Sequence, residues 1–349
     1  MKCDLLHGWY LKSHRDLDFR KTKDPYAIWI SEVMLQQTRM NAMLEKYRSF
    51  MKRFPNVKSL ADASEEEVII QWKGLGYYSR ARNLHAAAMK IRDDYGGHFP
   101  ADISKALSLP GVGPYTAAAV LSICYDTAEA AFDGNQRRVL SRLLGNKPDR
   151  TLISYARDWI QNCPSPGDHN QALMELGAVV CVPGIPDCKN CPLRKECVAF
   201  QTGGPEYAAS IPAKKNDLKI DVELKILFLI ERNRIWIVRS SSSPFLKNTW
   251  FFPFEYFEKG RSIKTGGLDT LVDSMETRLQ VGSFRHQITK YKIVSRVESI
   301  QIRKTKEKPS LPDVEWALVS REEAERRIAS SMGKKVFRLL GIYSSQRDG

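Results

Sequence analysis

Over the first two hundred residues apolar positions recur at three- and four-residue intervals, the spacing of one face of an α-helix. Beyond residue 220 they alternate. Residues 1–21 pattern as a polar amphipathic helix, followed by the basic turn Arg20-Lys-Thr-Lys23. Asp24-Pro25 opens the next helix, with proline in its first turn. There Ile28 and Leu35 share a face with Glu32 between them. Further helices are predicted over 41–54, ending before Pro55, and from the capping box Ser64 to Glu67 as far as Trp72. Residues 83–95 form another, stopped by Gly96-Gly97, and 103–107 a short one. Helices resume at Pro114, over 135–144, and from Arg150 to about Val180.

After Gln201 the pattern changes. Thr202-Gly-Gly-Pro205 and Ile211-Pro-Ala-Lys-Lys-Asn216 read as a linker. Val222, Leu224, Ile226 and Phe228 then alternate, and 235–238 pairs with them across a turn at Asn233. A loop at 240–244, a helix over 268–275, strands over 291–297 and 298–303, a Lys-rich loop through Lys308 and a helix within 321–340 complete the reading. The expected architecture is a mostly α region over 1–201, a linker over 202–220, and an α+β domain over 221–349. No internal repeat or low-complexity segment is present.

Charge narrows the choice of partner. The chain carries 54 basic and 40 acidic residues, a net charge of +14. Phosphate backbones reward that excess through counterion release, and a merely basic solvated surface is the alternative. No apolar run is long enough to span a bilayer, and the N-terminus lacks the apolar core of a signal peptide. The expected location is the cytoplasm. Four of the seven cysteines, Cys181, Cys188, Cys191 and Cys197, crowd together with unequal spacings. That grouping indicates a metal centre, and its asymmetry favours a [4Fe–4S] loop over paired zinc knuckles. Cys3, Cys124 and Cys163 are expected to be core or surface thiols.

Three stretches carry candidate chemistry. In Leu109-Pro-Gly-Val-Gly-Pro-Tyr-Thr-Ala117, Gly111 and Gly113 are free to take positive φ. Pro114 then starts a helix whose first amides face an anion. A helix–Gly-x-Gly–helix turn grips DNA phosphates without reading sequence; an ordinary helical corner is the alternative. In Gly74-Leu-Gly-Tyr-Tyr-Ser-Arg-Ala-Arg82, aromatics and arginines follow a glycine break, as a wedge between bases or a phosphate hold would require. Packing is the bland account of the tyrosines. Glu32 and Asp133 are the candidate acids. Glu32 is either a surface residue or a half-buried acid able to carry a proton near neutral pH. Asp133 is either a helix cap or chemistry.

Read together, these motifs resemble the endonuclease III superfamily of helix-hairpin-helix DNA glycosylases, and within it the bacterial MutY-type adenine DNA glycosylases. The matching segments are Asp24-Pro-Tyr26, Ile30-Ser-Glu-Val-Met-Leu-Gln-Gln-Thr38, residues 74–84, Leu109-Pro-Gly-Val-Gly113, Asp133-Gly-Asn135 and the four-cysteine loop. The resemblance continues into the tail, with Trp250-Phe-Phe-Pro253 and Phe284-Arg-His286 in a Nudix-like lesion-recognition domain. It implies a helical-barrel catalytic region with a [4Fe–4S] cluster on Cys181, Cys188, Cys191 and Cys197. The implied partner is double-stranded DNA holding adenine opposite 8-oxoguanine or guanine, met by a monomer at the nucleoid. Adenine would be flipped out and hydrolysed from its sugar.

By the same resemblance Glu32 protonates the leaving base, Asp133 stabilises the cationic sugar, and Tyr115 and Asn135 support them. Gln36, Gln37, Thr38, Leu75, Gly76, Tyr77, Arg80, Gly111 and Gly113 would contact DNA. Position 115 is tyrosine where strand-cleaving relatives carry lysine, so strand cleavage is not expected. The family's Phe-Ser-His lesion sensor is replaced by Ile288-Thr-Lys290, which leaves Thr289 and Lys290 as the sensing candidates. Near the N-terminus Leu17-Asp-Phe19 stands where the family has Leu-Pro-Trp. Nudix hydrolysis is not expected: Arg321-Glu-Glu-Ala-Glu325 is a charged helix, not the hydrolase box. The competing functions are a glycosylase with altered base choice, such as thymine from T·G, and a non-catalytic damage binder.

Overall fold

The computed structural model describes all residues except 1, 39, 214–217, 244, 259–260, 265–274, 289, 303–312 and 342–349. They fall into two compact units, one of residues 1–63 with 82–215, the other of residues 64–81 with 216–349.

The first unit is helical. In chain order it holds α1 (Lys2–Ser13), α2 (Pro25–Leu35), α3 (Met40–Arg53) and α4 (Val57–Ala61). After the segment containing α5 (Glu65–Gln71), α6 (Tyr78–Asp94) leads back into this unit. Then come α7 (Ile103–Leu107), α8 (Pro114–Tyr125), α9 (Gly134–Leu144), α10 (Asp149–Gln161), α11 (Pro166–Val179) and α12 (Val198–Ala209). Leu6 and Tyr10 of α1 bury against Val139, Leu140 and Leu143 of α9 and Leu173 and Leu176 of α11. Each such aliphatic side chain contributes about 1.5–3 kcal/mol on burial. α2 is buried on all sides from Tyr26 to Met34, its N-terminus capped by Asp24, whose carboxylate accepts the Tyr26 amide. α12 corrects the linker expectation: the chain stays helical to Ala209, with a kink at Gly203-Gly204.

The second unit is the α+β one. Among the described residues its sheet has seven strands: β1 (Ile220–Glu231), β2 (Arg234–Ser240), β3 (Phe254–Glu258), β4 (Arg261–Lys264), β5 (Met275–Ile288), β6 (Tyr291–Ile302) and β7 (Val314–Val319). The strand path β4-β3-β1-β2-β7 is antiparallel, while β6 lies parallel to β1 with Leu224 opposite Ser295, and pairs with β5. Arg232 and Asn233 take positive φ in the tight β1–β2 turn. Trp236 of β2 stands edge-on to Trp316 of β7 on one face. On the other, Phe228, Phe252 and Val297 pack with Val336 and Phe337. The single helix expected within 321–340 is two, α13 (Arg321–Arg327) and α14 (Ser331–Leu339), each with a serine N-cap. The two strands expected over 291–303 are the one strand β6, and the helix expected at 268–275 lies outside the described residues except for Met275, which begins β5.

Residues 64–81 also depart from the expected boundary, because they group with the sheet unit. The Tyr78 hydroxyl donates to the Ala329 carbonyl at 2.5 Å, and the Lys73 ammonium to that of Glu325 at 2.7 Å. Arg327 pairs with Glu66 at 3.3 Å.

Candidate active site

The turn between α7 and α8 is built as its sequence predicts, with one correction. Gly111 adopts φ +73°, where a side chain would be strained and where a Cβ would lie 2.6 Å from that of Asn83. Gly113 does not take positive φ; it is the extended N-cap of α8, at φ −88°. Pro114 follows in the first turn, and no side chain caps the helix. The leading amides of α8 are therefore left for an anion.

Beside this turn opens a cleft of about 690 Å³, lined by residues of the helical unit alone. Ile28, Glu32 and Leu35 of the α2 stripe form one wall, with Gln36, Gln37 and Thr38 continuing it. Gly111, Gly113, Tyr115 and Thr116 form a second, and Asp133 and Asn135 a third. Glu32 is only 4 % exposed, so the surface alternative for it is overturned. The Tyr115 hydroxyl donates to its Oε2 at 2.6 Å. Burial pushes the Glu32 carboxyl up; Tyr115 and Arg20 oppose this and the nearby Asp133 charge adds to it, for a net value of about 7. The group therefore holds a proton for a good fraction of the time at neutral pH.

Asp133 is both a cap and a member of the cleft. Its Oδ1 accepts the Gln136 amide at 2.7 Å and its Oδ2 accepts the Asn135 side-chain amide at 3.1 Å. Burial raises this carboxyl above its ordinary value, against the pull of those bonds and of Arg138. Two carboxyls thus share one cleft in different surroundings. One is clasped by a hydroxyl in a desolvated wall, the other is anchored by amides at a helix N-terminus.

Sequence reading missed three residues that build this cleft, two of them in its lining. Glu175, on α11, has a wholly buried side chain. It accepts Arg15 Nε at 2.8 Å and NH2 at 2.7 Å, and Arg20 NH2 at 2.7 Å. Burial pushes its carboxyl up, but the two guanidiniums outweigh that and hold it at about 2. Arg15 and Arg20 line the cleft. The available signal was Glu175 between Leu173 and Leu176: a charge on an apolar helix face requires a partner, though not one that sequence can name.

The cysteine centre adjoins the far side of α9. Cys181, Cys188, Cys191 and Cys197 line a single small cavity together with Arg142, Arg194 and Phe200. Arg142 is buried and fixes the loop: it donates to Val182 O at 2.8 Å, Gly184 O at 3.0 Å and Ile211 O at 2.9 Å, and its NH1 lies 3.4 Å from Cys181 Sγ. Four convergent sulfur donors fit a cysteine-ligated metal site. One turn earlier Arg138 donates to Asn135 Oδ1 at 3.0 Å, Gly177 O at 2.7 Å and Cys181 O at 2.8 Å. The other cysteines are not all thiols as expected: Cys3 and Cys163 form a disulfide, while Cys124 is free.

The remaining expected contacts belong to the other unit. Gly76 and Tyr77 both take positive φ, and Tyr77 is 42 % exposed, as a wedge would be. Leu75 is buried, contrary to a role in contacting a ligand directly. Arg80 turns inward, donating to the Leu75 carbonyl at 3.1 Å with its guanidinium over the rings of Trp72 and Tyr77. It shapes the loop. Thr289 lies outside the described residues; Lys290 is exposed, its ammonium 5.3 Å above the Tyr291 ring.

Comparison with known proteins fits this arrangement. Residues 30–162 match the family described as HhH-GPD superfamily base excision DNA repair protein. The adenine DNA glycosylase of Buchnera aphidicola from Schizaphis graminum is 33% identical over 258 residues, 71% of this chain and 73% of that one. That of Mus musculus is 41% identical over 225 residues, and the match covers 60% of this chain but only 44% of the mouse protein. Among solved structures, a thermostable thymine-DNA glycosylase is similar at a TM-score of 0.54 and 28% identity, over 58% of this chain and 95% of that one. No helix among the described residues is long and apolar enough to cross a membrane. The hairpin, the cleft with its two carboxyls and the extent of these matches lead to one conclusion: the chain is a DNA glycosylase and belongs to the adenine DNA glycosylase family of helix-hairpin-helix base excision repair proteins.

Proposed function

We propose that this cleft removes adenine mispaired with 8-oxoguanine or guanine in double-stranded DNA, by hydrolysis and without efficient strand cleavage. The observation that carries the reading is the pairing, in one cleft, of Glu32 poised at about 7 with an amide-anchored Asp133. A base inside the stack is inaccessible, so the nucleotide leaves the duplex to reach these groups. Adenine is a poor leaving group as an anion. Protonated Glu32 delivers a proton to a ring nitrogen as the glycosidic bond breaks, a contribution of roughly 10²–10⁴ in rate. Positive charge develops on the sugar, and Asp133 faces it as a fixed anion. Glu32, now ionised, takes the proton of the incoming water. Arg15 and Arg20, held in place by the buried Glu175, offer hydrogen-bond donors to the edge of the base. Tyr115 offers no amine for a Schiff base with the sugar.

The four cysteines fit a [4Fe–4S] cluster by donor type and by their unequal spacing. When bound, the cluster supplies cross-linking of the loop 181–197 and a charged centre. Arg142 and Arg138 would tie that loop to α9 and so to Asp133. In the sheet unit, Tyr77 and Lys290 are the exposed groups offered to the lesion side.

The test is base release from duplexes holding A·8-oxoguanine, A·G, T·G and thymine glycol. Adenine release from the first two is expected, lost by roughly 10²–10⁴ in Glu32→Gln and abolished or nearly so in Asp133→Asn. Full release by Asp133→Asn would overturn the assignment of that carboxylate. The likeness to a thymine-DNA glycosylase supports a second reading, altered base choice, which thymine release from T·G in preference to adenine would establish.

A further inference from the structure

Outside the cleft, one cluster of reactive side chains has no part in the proposed chemistry. Cys3 lies in the first turn of α1, Cys163 just beyond α10, and His169 in the first turn of α11. Their ligand atoms lie within 4.8 Å of one another. The two sulfurs are bonded, across 160 residues of sequence. His169 Nδ1 lies 3.4 Å from Cys163 Sγ. The imidazole is buried against the edge of Trp159, its Nε2 without a hydrogen-bond partner among the described residues. Burial pushes its pKa down to about 4, so it stays uncharged beside the two sulfurs at physiological pH. Both cysteines are partly exposed, which gives a small solute access.

We propose that Cys3 and Cys163 are a peroxide-sensitive dithiol, and that their oxidation staples α1 to the helices bearing the cleft wall. In the reduced form the carbonyls of Asn162 and Trp159, 3.7 and 3.3 Å from the two sulfurs, are acceptors for the thiol protons. Cys163 loses its proton to water. The thiolate attacks one oxygen of hydrogen peroxide, the O–O bond breaks, and hydroxide leaves to become water, with Cys163 as the sulfenic acid. The Cys3 sulfur then attacks Cys163 Sγ and expels a second hydroxide, which becomes water with the Cys3 proton. Two thiols are oxidised and one peroxide is reduced to two waters.

Position gives the bond a consequence. The chain leaves α1 directly into Arg15 and Arg20, which clasp Glu175 on α11, six residues beyond His169. A bond at the start of α1 therefore limits fraying of the element that delivers both arginines to the cleft.

The experiment uses the full chain with its metal centre intact. The protein is reduced with a dithiol, freed of reductant, exposed to hydrogen peroxide, quenched with iodoacetamide, and mapped by peptide mass spectrometry. A Cys3–Cys163 linked peptide is expected, with Cys124 still alkylated as internal control, and with tryptic cleavage after Lys12 slowed at least tenfold against the reduced protein. Cys3→Ser should stop at a Cys163 sulfenic acid that dimedone traps. Both thiols remaining alkylatable when Cys124 is already oxidised would overturn the proposal.

Discussion

Replacing Tyr115 by Phe removes one hydroxyl and changes the proton affinity of the residue proposed as the acid. That hydroxyl donates to the Glu32 carboxylate at 2.6 Å, and so favours the charged form. Burial works the other way and is larger, leaving Glu32 at about 7. A hydrogen bond to a charged group is worth about 1.5–3 kcal/mol, and 1.36 kcal/mol corresponds to one pKa unit. Without the bond the carboxyl should hold its proton one to two units further, to about 8–9 instead of about 7. The assay is single-turnover adenine release from an A·8-oxoguanine duplex between pH 5 and 10. In the native chain the rate should fall tenfold per unit above roughly pH 7, as Glu32 loses the proton it must deliver. In Tyr115→Phe this limb should move to higher pH even if the plateau is lower. A limb that stays in place or moves to lower pH would refute the role given to the hydroxyl. A limb that persists in Glu32→Gln would refute the role given to the carboxyl.

Other expectations follow from the same geometry. Gly111→Ala should weaken duplex binding at least tenfold in a gel-shift titration, because the backbone there has positive φ and the added methyl meets Asn83. Glu175→Gln leaves Arg15 and Arg20 facing each other without a counter-charge, and should destabilise the helical unit by about 3 kcal/mol in urea unfolding. Glu175 is held near 2, below its ordinary value, so its contribution is present above about pH 4.5 and lost as pH falls toward 2; the acid limb of stability should flatten in the variant. Cys191→Ser should lower the metal content of the purified protein, measured by metal analysis, since that thiol is one of the four lining the cysteine cavity.

Much of the site could be read in the sequence because its elements announce themselves locally. The Asp24 cap, the Ser64–Glu67 box and the Leu109–Gly113 turn each stand where residue chemistry alone puts them. What stayed hidden depends on which helix face meets which neighbour. The stripe Ile28, Glu32 and Leu35 looks like any amphipathic face, and nothing local tells that it borders a cleft. Asp133 reads in sequence as either a cap or a reactive acid, whereas it caps α9 from within the cleft. Arg15 and Glu175, or Cys3 and Cys163, meet across about 160 residues, a distance no periodicity spans. In the sheet unit, β5 escaped notice because register shifts near Gln280 break its alternation. β6 reads in sequence as two strands, although its pairing with β1 runs unbroken from Tyr291 to Gln301.

The placement of residues 64–81 bears on how this protein can be taken apart. Because that segment groups with residues 216–349, the backbone passes between the two units three times, near residues 63, 81 and 215. No single cut yields two self-sufficient pieces. A fragment ending before residue 216 keeps Glu66, Lys73 and Tyr78 but strands them without Arg327, the Glu325 carbonyl and the Ala329 carbonyl. The exposed Tyr77 sits in the same segment. The proposed wedge is thus flanked in sequence by the helical unit and structurally part of the sheet unit, so a two-fragment reconstitution would have to rebuild its footing before it could present that side chain.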